Sequence, residues 1–176
     1  MKYSTWKHLE KLHDEKGNEA GKLVQQLLSL AFLDIGAVNL TCRCTEGIDI
    51  DFELDGRIWA VEVKKVISDP RNEVSLGDKD FDGLKDSIQR GHKPLIAVLG
   101  NQLTDEWLFI PHPGSGLQPS DKTSMPLFRP FQVGDFTGRI REPFEKMVEQ
   151  HIQVALEKGQ DGLKSVLLSH DNCLLA

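Results

Sequence analysis

No apolar run in the sequence approaches the ~18 residues that a membrane-spanning helix requires. The first residues, Met-Lys-Tyr-Ser-Thr-Trp-Lys-His, lack the apolar segment of a signal peptide. Cysteine is scarce: there are three, two of them in Cys42-Arg-Cys44. A zinc site usually draws four ligands from paired motifs, and no second Cys pair accompanies this one. No two of the six histidines have the HExxH spacing of a helix-borne zinc site. Internal repeats and low-complexity tracts are absent, as are a P-loop, a GxGxxG and a GxSxG. Nor is there a run of Lys and Arg: 21 basic against 27 acidic side chains leave a net charge of −6. That balance argues against a protein that simply coats nucleic acid, but not against an enzyme that brings cations to a phosphate. Together these absences exclude membrane, secreted and disordered classes. They predict a cytoplasmic chain with reduced, buried cysteines.

What is present suits one globular domain of 176 residues, 39% hydrophobic and 27% charged, with a core at about 15–110. Residues 4–33 read as helical, interrupted at Gly17-Asn18, with Ala20, Leu23, Val24, Leu27, Leu28 and Ala31 at helical spacing. Residues 37–44 and 48–54 alternate as half-buried strands, which explains Cys42 and Cys44 without a metal. In the second strand Ile48, Ile50, Phe52 and Leu54 oppose Asp49, Asp51 and Glu53. Asp55-Gly56 then marks a hairpin turn, and residues 57–66 form the returning strand. A helix follows at about 78–90, then a continuous apolar strand at Leu95–Leu99 and a further strand at 106–110. Residues 111–139 read as a long loop. A helix at about 140–158 stops at Gly159, within a helical extension spanning 140–176. The expected class is α/β, a mixed sheet flanked by helices in the order α-β-β-β-α-β, with a further strand and a C-terminal helix.

The chemistry concentrates between Gly47 and Lys65. Glu62 and Lys64 lie two apart on a strand, so both leave the same face. Burying a carboxylate and an ammonium in so apolar a strand is costly unless they pair or bind something. A register that sets Asp49 beside Glu62 would join two carboxylates into an oxygen site suited to Mg²⁺ or Mn²⁺. A lysine beside them can orient a water and steady negative charge on a phosphate.

An Asp, a hairpin and then Glu-x-Lys resembles the PD-(D/E)xK nuclease superfamily, which has the restriction-endonuclease-like fold. The spacing from Asp49 to Glu62 is most similar to that of archaeal Holliday-junction resolvases and related small endonuclease-like domains. The resemblance covers roughly residues 15–100 and departs at Ile48, where the family name has Pro. It implies that Asp49 and Glu62 hold the metal, with the backbone carbonyl of Val63 as a further ligand and Lys64 positioning the attacking water. A glutamate on the preceding helix would complete the site: Glu19, or Glu15 in its place. A polar residue on the next helix, Gln89 or Lys79, would assist.

The implied function is a Mg²⁺- or Mn²⁺-dependent DNA endonuclease that hydrolyses phosphodiester bonds with a metal-activated water. Structured or duplex DNA would be the partner, with RNA also open, and the enzyme would act as a homodimer. The alternative is a non-catalytic binding or assembly protein that keeps the nuclease fold. The remaining charged residues receive plainer expectations. Asp51 and Glu53 are expected to be solvated, as is the charged face of the 78–90 helix. Lys65 is expected to keep an edge strand soluble. His112 is expected to be an ordinary loop residue, while Lys122, Arg129 and Arg139 could contact substrate from the long loop.

Overall fold

The computed structural model describes residues 1–43, 47–65, 73–100, 107–111, 124–126 and 134–175. Helix α1 (Tyr3–Lys16) leads through a 3-10 turn (Gly17–Glu19) into α2 (Ala20–Asp34). Strands β1 (Val38–Cys42), β2 (Ile50–Leu54), β3 (Arg57–Lys65) and β4 (Glu73–Ser75) follow, then α3 (Asp78–Gln89). The chain continues through β5 (Lys93–Leu99), β6 (Trp107–Pro111), β7 (Ser124–Pro126), α4 (Gly134–Leu168) and β8 (Cys173–Leu175).

The fold is α/β. A six-stranded mixed sheet has the order β6-β5-β3-β2-β1-β8, and β4 pairs with β7 apart from it. Among the described residues, no helix is long and apolar enough to cross a membrane. The β2–β3 hairpin turns at Asp55-Gly56, whose φ values of 55° and 69° are both positive. That is the signature of the tight turn whose twist matches an antiparallel pair. It closes a register in which Leu54 faces Arg57 and Asp51 faces Ala60.

Strand alternation divides the sheet into two faces. Ile50, Phe52, Val61 and Leu95 join α1, α2 and α4 in the larger core, where Phe32 stacks on Phe52 with ring centres 4.2 Å apart. Ala60, Ile96 and Val98 face the other way, under Phe81 and Leu84 of α3. Glu62 and Lys64 share the parity of Ala60, so they emerge on the α3 side.

The structure departs from the sequence reading in five places. Ile48 does not continue the Ile50–Phe52 face: β2 begins only at Ile50, and Ile48 packs in the smaller core. Helix α4 begins at Gly134, and β7 falls within the stretch read as loop. Residues 112–123 and 127–133, with His112, Lys122 and Arg129, lie outside the described residues, as does Cys44. Gly159 does break the helical geometry (φ 58°, ψ −146°), but α4 resumes and runs to Leu168. The C-terminal extension ends in a strand, β8, parallel to β1. Finally, β3 is interior, flanked by β2 and β5, so Lys65 guards no edge. Cys42 and Cys173 are buried free thiols.

Candidate functional site

A cleft of about 490 Å³ opens where the end of β3 meets the starts of α2 and α3. Asp49, Glu62, Val63, Lys64, Lys65 and Lys79 line it, together with Lys22, Gln25 and Asp80.

Asp49 is held at the cleft by Gln25, which ties its backbone to that of Arg43. Gln25 is buried in α2, and its Nε2 donates to the carbonyls of Arg43 (2.7 Å) and Asp49 (2.8 Å). The Arg43 N–H also donates to the Asp49 carbonyl at 2.9 Å. From α3, Gly83 lies against the same segment: a Cβ there would stand 3.2 Å from the Ile48 nitrogen and 3.3 Å from the Gly47 carbonyl carbon. Fixed in this way, the Asp49 carboxylate accepts the Val63 N–H at 2.9 Å through Oδ2. An extended residue presents its N–H and C=O on the same strand edge, so the Val63 carbonyl points to the edge of β3 on which Asp49 lies. Asp49 Oδ1 pairs with Lys22 Nζ at 3.1 Å.

Glu62 is 4% exposed. Burial, reinforced by the negative charge of Asp49, pushes its carboxyl up to about 8, and Lys64 offsets only part of this. Lys64 Nζ lies 2.9 Å from Glu62 Oε1 and 2.7 Å from Asp80 Oδ2. Burial alone would lower the Lys64 ammonium, but its two carboxylate partners outweigh that and raise it. Asp80 is held below the usual carboxylate range: hydrogen bonds from Lys64 and the Gly77 N–H overcome its burial. Lys65, depressed by burial, places Nζ 2.8 Å from His13 Nδ1.

The structure therefore gathers Asp49, Glu62, Val63 and Lys64 in one cleft. It does not bring Glu19 there. Glu19 turns to the kink in α4, where Oε1 accepts the Gln160 N–H at 3.0 Å, and a Cβ on Gly159 would meet that oxygen at 2.7 Å. The 3-10 turn directs Glu19 to α4 and leaves the facing positions of α2 to Lys22 and Gln25. Glu15 pairs with Lys11 on the surface (3.7 Å). On α3, Lys79 lines the cleft, whereas Gln89 belongs to a separate depression with Arg43 and Arg90. Arg139 pairs with Asp55 at 2.5 Å.

Asp51 is not solvated. It is buried in a short ion pair with Arg43, and its Oδ1 lies 3.4 Å from His92 Nδ1. Glu53 is half-buried, with Asn39 Nδ2 at 3.4 Å. Three cleft residues escape the sequence reading: Lys22, Gln25 and Asp80. Gln25 carried a signal, a polar residue inside the apolar Leu23–Leu28 stretch. Asp80 and Lys22 looked like ordinary surface charges.

The donor set suits a small hard cation. Magnesium typically takes one or two carboxylates and keeps several waters. Asp49 and Glu62, close enough that the charge of Asp49 raises the Glu62 carboxyl, provide two carboxylates, and the Val63 carbonyl lines the same cleft. Among the described residues there is no group of three or more His, Cys, Asp or Glu able to hold a metal ion. Compared with family models and with curated proteins, the chain matches none.

Proposed function

We propose that the protein is a metal-dependent endonuclease of the PD-(D/E)xK type, acting on DNA. The observation that carries this reading is the convergence of Asp49, just before β2, and Glu62, on β3, beside Lys64 in a solvent-open cleft. Asp49, Glu62 and the Val63 carbonyl would hold Mg²⁺ or Mn²⁺. The bound metal would supply a Lewis acid for the phosphate and lower the pKa of the attacking water. The raised pKa of Lys64 keeps it an ammonium at neutral pH, so it orients the water and neutralises phosphate charge rather than taking a proton. Asp80 is a second carboxylate partner of that ammonium and helps fix its position. A homodimer would place two such clefts on the two strands of a duplex.

The non-catalytic reading also has an observation in its favour. Lysines already match the cleft carboxylates: Lys22 pairs with Asp49, and Lys64 with Glu62 and Asp80. Plasmid nicking in Mg²⁺ or Mn²⁺ separates the two readings. The wild type should nick, and Asp49→Ala and Lys64→Ala should each lose at least ~100-fold in rate. Mn²⁺ should also raise the melting temperature relative to EDTA, because it binds only the folded site. Nicking that survives both substitutions, or no metal-induced shift, would remove the nuclease reading.

A further inference from the structure

Lys22 is held by two acceptors in the cleft. Its Nζ lies 3.1 Å from Asp49 Oδ1 and 3.1 Å from Gln25 Oε1. Both acceptors are fixed. The Gln25 amide is oriented by its donations to the Arg43 and Asp49 carbonyls, and Asp49 is oriented by the Val63 N–H. With Oδ2 held by that N–H, a cation that binds Asp49 through Oδ1 competes directly with Lys22. A divalent ion there would stand within ~5 Å of the ammonium, and the two like charges would repel. Lys64 lies equally close to Glu62 but keeps a second carboxylate partner, Asp80, when Glu62 turns to a metal, whereas the other partner of Lys22 is the neutral Gln25 amide.

We propose that Lys22 is a built-in counter-cation. It neutralises Asp49 while the metal is absent, and on metal binding it moves to a phosphate oxygen of the nucleic acid in the same cleft. The inference rests on the nuclease reading and adds a residue to it. The flexible four-carbon stem of Lys22 and its one-third exposed side chain allow the move.

The test is Lys22→Met, with Lys22→Gln as a second variant that keeps a polar tip. Mn²⁺ affinity is measured by titration calorimetry without DNA. Affinity for a fluorescent duplex oligonucleotide is measured in Mn²⁺, in a Lys64→Ala background that stops turnover. Both variants should bind Mn²⁺ at least ~5-fold tighter, the low end of coupling between ligand sites, and DNA at least ~5-fold weaker. These opposite signs distinguish the role from a structural one, in which both affinities would fall together. Unchanged or weaker Mn²⁺ binding overturns it and leaves the nuclease reading standing, as does DNA affinity that fails to fall. No Mn²⁺ binding by the wild type or either variant overturns both.

Discussion

Burial strips Glu62 of nearly all the water that would stabilise its charge, and Asp49 adds repulsion. The consequence is a pH-dependent stability whose direction follows from proton counting. Below about pH 4.5 the carboxyl is protonated in both folded and unfolded chains. Between 4.5 and about 8 the unfolded chain has released a proton that the folded chain keeps, so stability falls as pH rises. Above about 8 the penalty is constant. Glu62→Gln removes this titration. Urea unfolding from pH 4.5 to 8 should therefore show the wild type losing stability relative to Glu62→Gln, with the variant the more stable at pH 8. Parallel stability curves would mean that Glu62 ionises normally in the folded protein. The residue types Asp, Glu and Lys at this spacing were legible in the sequence. The role of Glu19 was not, because a 3-10 turn changes which way a side chain points, and three residues of turn leave little trace in periodicity.

At the scale of elements, the site depends on how closely α3 seats on the sheet. Gly83 lets the helix backbone come against the Gly47–Ile48 segment, which in turn holds Asp49 at the cleft. Gly83→Ala should push α3 outward, costing about 1–3 kcal/mol through overpacking. Asp80 and Lys79, which ride on the same helix, should shift with it. Thermal unfolding would register the loss, and nicking activity should fall although no cleft residue has changed. A variant as stable and as active as the wild type would show that the contact is slack. Strong periodicity made α2, β3, α3 and β5 visible in the sequence. Segments as short as β7 and β8 carry too few residues to show a period. The 111–139 stretch misled because Pro and Gly interrupt its pattern, although α4 already begins at Gly134.

Across the whole molecule, charge is distributed against the average. The chain carries −6 overall, yet its cleft gathers Lys22, Lys64, Lys65 and Lys79 against Asp49, Glu62 and Asp80. A phosphate backbone would thus meet a locally cationic opening in an acidic protein. The sheet beneath is closed on one side by the chain's far end. β8 pairs with β1 from Leu40 to Cys42, and the Leu40 N–H donates to the Asn172 carbonyl at 2.8 Å. Truncation after Leu168 should cost on the order of 3 kcal/mol from lost ladder bonds. It should also expose β1 as an open edge prone to association. Urea unfolding and light scattering would test this, and an unchanged midpoint with a monodisperse truncated protein would contradict it.

The sequence alone determined the α/β class, the hairpin and the shared face of Glu62 and Lys64. These follow from backbone periodicity and the stereochemistry of a two-residue turn, which act over a few neighbouring positions. Only the tertiary structure decided which charges meet in the cleft. Lys22, Gln25 and Asp80 enter from helices 15 or more residues from Glu62, and Glu19 leaves for a helix 141 positions away. Such contacts depend on how helices seat on the sheet, and that packing is set by the sum of the two cores rather than by any local pattern.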